Sequence, residues 1–180
     1  MRVITGSARG RRLLSPEGFD VRPTTDKVKE SIFNILQFDL PDAVVLDLFA
    51  GSGQLGIEAL SRGAECCYFV DSSKKSLETV KANVDLCRFN DKAKVVFSDS
   101  FAFLKSTDCK FDIVLLDPPY NKQLCDRALE LLGDVVLPDS IVLCETQADE
   151  VLPVNPGNLV LDREYHYSSI KLTVYRFADV

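Results

Sequence analysis

The run Ala43-Val44-Val45-Leu46-Asp47-Leu48-Phe49-Ala50-Gly51-Ser52-Gly53-Gln54-Leu55-Gly56 leads a short apolar segment straight into a glycine-rich turn. Its first seven residues are continuously apolar apart from one aspartate, the pattern of a strand buried on both faces. The turn matches G-x-G-x-x-G, and beyond it Leu55, Ala59 and Leu60 fall on one helical face, with Gly63 as the stop. Strand, glycine turn and helix in that order is the opening unit of a parallel sheet that binds a ligand at the turn.

The same rhythm continues outward. Cys66–Asp71 reads as a second strand, followed by a helix capped by Ser72 or Ser73 with Leu77, Val80 and Val84 at helical spacing. Lys94–Asp99 and Asp112–Asp117 read as a third and a fourth strand, and Ile141–Glu145 as a fifth. A helix carrying Leu124, Ala128, Leu131 and Leu132 ends at Gly133. Leu159–Tyr167 and Ile170–Phe177 have only Ser168-Ser169 between them, too short for a parallel crossover, so they form an antiparallel hairpin. Upstream, Arg2–Thr5 and Arg11–Leu14 are expected to pair as a small hairpin around Ala8-Arg9-Gly10. A helix from about Thr25 to Phe38 should bury Val28, Ile32, Ile35 and Leu36. The fold class is therefore α/β: a doubly wound, mostly parallel, seven-stranded sheet with an antiparallel C-terminal hairpin and a small N-terminal hairpin and helix. At 180 residues without repeats or linkers, one domain is expected, with 1–40 a basic extension and 41–180 the core.

Composition narrows the function classes. No apolar run reaches the ~20 residues of a membrane helix, and residues 1–6 show no export signal, so a cytoplasmic protein is expected. Six cysteines (66, 67, 87, 109, 125 and 144) include no Cys-x-x-Cys pair and accompany a single histidine, His166. Neither a metal site nor a redox motif fits, and small buried apolar residues is the better reading for most of them. His166, in the expected hairpin, is read as structural. The formal net charge of −6 is unevenly spread: residues 1–30 hold seven basic and four acidic side chains. A basic N-terminal patch on an acidic body can grip phosphates locally, a solvated charged terminus being the alternative.

Asp47, Asp71, Asp99 and Asp117 each stand at or near the C-terminal end of one of the first four strands, the edge where open parallel sheets bind ligands. Such an acidic rim suits a cationic cofactor better than a dinucleotide with two phosphates. S-adenosylmethionine carries a sulfonium and an ammonium. Asp47 would face its methionine end, Asp71 its ribose hydroxyls (helix capping being the alternative), and Asp99 with Ser100 and Phe101 its adenine. Asp117-Pro118-Pro119-Tyr120 is the most specific feature. An exocyclic base nitrogen is a poor nucleophile because its lone pair is delocalised into the ring. A carboxylate and a backbone carbonyl accepting its two hydrogens localise that pair, consecutive prolines set the carbonyl's direction, and Tyr120 offers the extruded base a stacking face.

Together these strings make the chain resemble the Rossmann-like amino-methylating methyltransferases, and more closely the RsmD family of bacterial 16S rRNA guanine-N2 methyltransferases. The resemblance rests on Met1-Arg2-Val3-Ile4-Thr5-Gly6 with Arg9-Gly10-Arg11-Arg12-Leu13, on Arg22-Pro23-Thr24-Thr25-Asp26-Lys27, on Asp47–Gly53, and on Asp117-Pro118-Pro119-Tyr120-Asn121-Lys122. It implies a guanine of small-subunit rRNA as target, free or in an assembling or assembled 30S particle, with a monomeric enzyme needing no metal or membrane. It further implies that Asp117, Pro118, Pro119 and Tyr120 hold the base. Asp47, Phe49, Ala50, Gly51, Ser52, Gly53, Asp71, Asp99 and Ser100 would line the cofactor site, with Thr24 and Thr25 by its methionine end. Arg9, Arg11, Arg12 and Arg22 would contact RNA. Gln54 departs from the pattern, standing where a small residue is expected, as does Tyr165-His166-Tyr167. Three other readings remain: an adenine-N6 methyltransferase, a nicotinamide-dependent oxidoreductase, which leaves Asp117–Tyr120 unexplained, and a catalytically silent RNA-binding module.

Overall fold

The computed structural model describes residues 1–16, 25–119 and 123–177. Its elements are α1 (Asp26–Ile35), β1 (Val44–Asp47), α2 (Gln54–Ser61), β2 (Cys66–Asp71), α3 (Lys74–Cys87), β3 (Ala93–Phe97), α4 (Ser100–Ser106), β4 (Phe111–Leu116), α5 (Leu124–Leu131), β5 (Val136–Gln147), β6 (Leu159–Tyr167) and β7 (Ile170–Phe177). They build one seven-stranded sheet in the order β3-β2-β1-β4-β5-β7-β6. The first five strands are mutually parallel, and β7 lies antiparallel between β5 and β6.

Alternate residues of each central strand feed opposite cores. Val45, Phe69, Ile113 and Leu115 pack with α1, α2 and α3 on one face. Leu46, Val70, Val114 and Leu116 pack with α4 and α5 on the other. Continuous apolar strands follow from this, because neither face meets water. The chain leaves β1 toward β2 and β3, then returns on β1's other side as β4, so a crevice opens at the C-terminal ends of β1 and β4.

Three expectations need correction. The N-terminal hairpin does not form as a ladder: one isolated antiparallel bridge, Arg2↔Arg12, joins its arms. Beyond Val3, α2 takes backbone donors of this segment. The N–H groups of Ile4 and Thr5 donate to the Glu58 carboxylate at 2.8 and 2.9 Å, and Ser7 N–H donates to the Ser61 carbonyl at 2.8 Å. The first helix is also shorter than expected, ending at Ile35, with Thr25 as its N-cap. Of the expected positions Val28, Ile32 and Leu36 are buried and Ile35 only half-buried, while Lys29 and Phe33 are buried as well. α5 gives way to a 3₁₀ turn, Leu132–Asp134, so Gly133 lies within that turn.

Glu58 is fully buried and gathers four partners: the two N–H groups above, Arg62 Nε at 2.9 Å and Lys29 Nζ at 3.8 Å. Burial lowers the Lys29 pKa, partly offset by Glu58. Removing one member of such a cluster strands the others without water. Glu58→Ala should therefore cost about 3 kcal/mol, lowering the melting temperature on the order of 10 °C. Calorimetry checks this, and a melting point within a degree or two of the parent would show that the N-terminal segment is held by other contacts.

Candidate active site

The crevice is built from the ends of β1, β2 and β4. Asp47 is level with Phe69 of β2 and Leu115 of β4, so Asp71 and Asp117 follow two residues further toward the C-terminal edge. Paired residues of parallel strands share a sheet face, which places Asp47 and Asp71 on the side covered by α2 and α3. Asp47 is 1% exposed and its Oδ2 accepts the Gly56 N–H at 3.0 Å. Burial pushes its pKa up to about 8, with a smaller opposing effect from the Gly56 N–H and further upward pressure from Asp117 and Asp71.

The glycine turn is held from three sides. Gly51 and Gly53 take φ of 55° and 77°, and Gly53 N–H donates to the Ala50 carbonyl at 2.6 Å. Gly51 N–H donates to Asp71 Oδ2 at 2.9 Å, while Asp71 Oδ1 accepts the Ser73 N–H at 2.7 Å. Asn83 of α3 donates to the Ser52 and Leu14 carbonyls and accepts the Leu14 N–H, tying the turn to the N-terminal segment. Gly56 lies so close to β2 that a Cβ would stand 2.3 Å from the Phe69 ring and 2.6 Å from Cys67 Sγ.

The remaining expected residues divide. Asp117 follows β4 immediately and is half-buried beside buried Pro118 and exposed Pro119, whereas Tyr120 lies outside the described residues. Asp99 is the N-cap of α4, its Oδ1 accepting from Phe101 and Ala102 N–H at 3.1 and 3.0 Å. Ser100 Oγ donates to the Leu48 carbonyl at 2.9 Å, fastening α4 to the end of β1. Phe49 meets Phe101 edge-on at 6.5 Å, and the Arg127 guanidinium covers Phe101 at 3.9 Å. Thr25 Oγ1 accepts the Val28 N–H, while Thr24 and Arg22 lie outside the described residues. Arg9, Arg11 and Arg12 are exposed, away from the crevice, and Arg11 Nη1 donates to the Leu86 carbonyl near the end of α3 at 2.8 Å. Among the described residues no group of three His, Cys, Asp or Glu side chains is placed to hold a metal.

Sequence reasoning missed Glu58, Asn83 and Arg127. Asn83 carried a signal: it falls three residues after Val80 on the buried stripe of α3, where a polar side chain needs a partner. Glu58 carried a similar one, as a charge within α2, whose eight residues are all buried.

Comparison with known proteins agrees with this geometry. The family described as Conserved hypothetical protein 95 matches residues 1–176. The chain belongs to this family. It is a family of S-adenosylmethionine-dependent methyltransferases, and its RsmD and YlbH branches are both similar to the chain. YlbH of Bacillus subtilis is 40% identical over 98% of both chains. Ribosomal RNA small subunit methyltransferase D of Escherichia coli is 35% identical over 98% of this chain and 89% of its own length. The solved structure of yhhF from Escherichia coli superposes with a TM-score of 0.88 at 34% identity, covering 99% of this chain and 98% of its own. The crevice fits the family's cofactor, because two buried or half-buried carboxylates with Asp117 beside them suit a cation.

Because Asp47 binds its proton more tightly folded than unfolded, its contribution to stability is complete below the ordinary carboxylate range. It declines as pH rises toward 8. The ligand-free protein should melt at progressively lower temperature between about pH 5 and 8, and Asp47→Asn should flatten that decline. Parallel melting curves for the two proteins would remove Asp47 as the source.

Proposed function

We propose that the chain transfers a methyl group from S-adenosylmethionine to the exocyclic N2 amine of a guanine in small-subunit (16S) rRNA. Asp117-Pro118-Pro119 carries this reading, following β4 two residues beyond Leu115, the strand partner of Asp47. The E. coli relative's name supports an rRNA substrate of the small subunit. The cofactor supplies an electrophilic methyl on a sulfonium. Asp117 and the Pro118 carbonyl accept the two amine hydrogens and turn the nitrogen lone pair toward that methyl, while Tyr120 stacks on the base. The amine needs no base before attack, since its proton becomes acidic once the methyl has been added.

Asp47, Phe49, Ala50, Gly51, Ser52, Gly53, Asp71, Asp99, Ser100, Thr24 and Thr25 form the cofactor site in this reading. Asp71 holds Gly51 and Ser73 through one oxygen each, which leaves further lone pairs for ribose hydroxyls. Arg9, Arg11, Arg12 and Arg22 contact RNA phosphates, residues 1–40 serving as the RNA-facing extension of a single-domain, monomeric, cytoplasmic enzyme. No helix among the described residues is long and apolar enough to cross a membrane.

Labelled S-adenosylmethionine offered with naked rRNA, 30S particles and DNA, followed by mapping of the modified base, tests the proposal. Guanine N2 in 16S rRNA is expected, and label on adenine N6 or in DNA overturns it. Asp117→Ala should remove most transfer and leave cofactor affinity within a few-fold, whereas an equal loss of affinity would move Asp117 out of the base-holding role. Replacing Arg9, Arg11 and Arg12 together by Ala should weaken RNA binding and lower the salt slope by roughly 0.7–0.9 per lost phosphate contact. An unchanged slope would return the cluster to a solvated terminus.

A further inference from the structure

At the N-terminal ends of β2 and β3, the edge of the sheet opposite the crevice, a cavity of about 480 Å³ lies between the last turns of α2 and α3. Ser7, Arg62, Arg88, Phe89, Asp91 and Lys92 are among its lining residues, three cations against one carboxylate. That balance runs against the chain as a whole, whose formal net charge is −6.

The three cations are not equivalent. Arg62 is committed: its Nε donates to Glu58 at 2.9 Å, and its guanidinium lies 5.0 Å from the Phe33 ring centre. Arg88 and Lys92 are exposed, and neither forms an ion pair among the described residues. Lys92 Nζ donates to the Ala64 carbonyl at a long 3.5 Å, which leaves ammonium hydrogens for a ligand. Arg88 is the C-cap of α3 with φ 61° and ψ 43°, a left-handed conformation that glycine adopts freely and a side chain disfavours. An arginine there gives up backbone ease for a guanidinium at the cavity. Offsetting the negative ends of two helix dipoles would need only the caps Arg62 and Arg88. Lys92 is surplus to that.

The N-terminal segment joins this cavity to the crevice. Ser7 N–H donates to the Ser61 carbonyl at the cavity wall. Further along, Arg11 Nη1 reaches the Leu86 carbonyl, and Leu14 N–H reaches Asn83, whose amide holds Ser52 of the glycine turn. Residues 7–14 thus follow α3 from its last turn toward the glycine turn, with Arg9, Arg11 and Arg12 exposed on the way. The two ends stand about 17 Å apart, five strand steps along β2 from Cys66 to Asp71.

Resting on the rRNA reading above, we infer that this cavity binds a backbone phosphate of the RNA between Arg88 and Lys92, a second grip at the far end of the N-terminal segment. Asp91 weakens the hold on a lone phosphate. A strand already anchored by Arg9, Arg11 and Arg12 tolerates that loss, because its next phosphate is delivered at high effective concentration.

Arg88→Gly with Lys92→Gln removes both charges and suits the left-handed cap, so the ligand-free variant should melt no lower than the parent. Titrated with 16S rRNA and with 30S particles across a salt series, it should bind about tenfold more weakly and lose roughly 0.7–0.9 of salt slope for each charge removed. Lys92→Gln alone, outside every helix and strand, should lose about half of that. In methyl transfer the KM for RNA should rise about tenfold, with kcat and the affinity for S-adenosylhomocysteine unchanged, the pattern of lost uniform binding. Lys105→Gln with Lys110→Gln removes the same charge from exposed positions in and after α4 and should leave the slope as it was. An unchanged slope in the Arg88 and Lys92 variants overturns the inference, as does an equal drop in the Lys105 and Lys110 variant, which would reduce the effect to net charge. Inorganic phosphate bound through Arg88 and Lys92, with RNA affinity unaltered by their loss, overturns it too and assigns the cavity to a free anion. Failure of the parent to bind either RNA would instead overturn the rRNA reading on which the inference rests.

Discussion

Gly56 lies where any side chain would collide with Phe69 and Cys67, and much of the site depends on that close approach. Only because α2 can settle onto β2 here does the N–H of Gly56 reach the carboxylate of Asp47. That bond sets the height of the helix above the end of β1 and so the shape of the turn between them. Gly53, with its positive φ and its packing against Phe69 and Val80, makes the same approach one step earlier. The buried Asp47 is the electrical consequence: a carboxyl group enclosed by the helix that covers it, near two other carboxylates, which together push its pKa up.

Around that contact the elements serve two duties at once. Asp71 ends a strand, restrains Gly51 and caps the turn into α3 through Ser73, while still presenting its carboxylate at the rim. Ser100 and Asp99 fix the start of α4 to the end of β1, which sets Phe101 against Phe49 and beneath Arg127. Capping and ligand binding, which look like alternatives in the sequence, are compatible here because a carboxylate has more lone pairs than one cap consumes.

This explains why the core was legible in the sequence and the N-terminal segment was not. Strand positions such as Cys66–Asp71 and Ile113–Leu116 announce themselves because both sheet faces are covered, so burial is written as apolar runs. The glycine turn and the strand-end aspartates follow from the same register. Residues 2–14 have the look of a hairpin because local pattern favours one, but the backbone donors of Ile4, Thr5, Ser7 and Ala8 are claimed by Glu58 and Ser61, more than fifty positions away. No local rule reports a partner at that distance. Side-chain contacts were similarly hidden: sequence places Asp99 at the rim, but only packing shows that it caps α4.

Glu58 makes α2 the beam between the glycine turn and the N-terminal segment. One end of the helix carries the glycine turn, and its middle and far end hold the basic N-terminal segment through Glu58 and Ser61. Asn83 closes the frame by bonding Ser52 on one side and Leu14 on the other. The N-terminal segment and the glycine turn are thus held by the same two helices. A buried carboxylate is a costly way to join two elements when apolar packing would serve. Its justification here is directional: Glu58 fixes the register of α1 and of residues 4–5 on α2 to within a hydrogen bond, which apolar contacts cannot do.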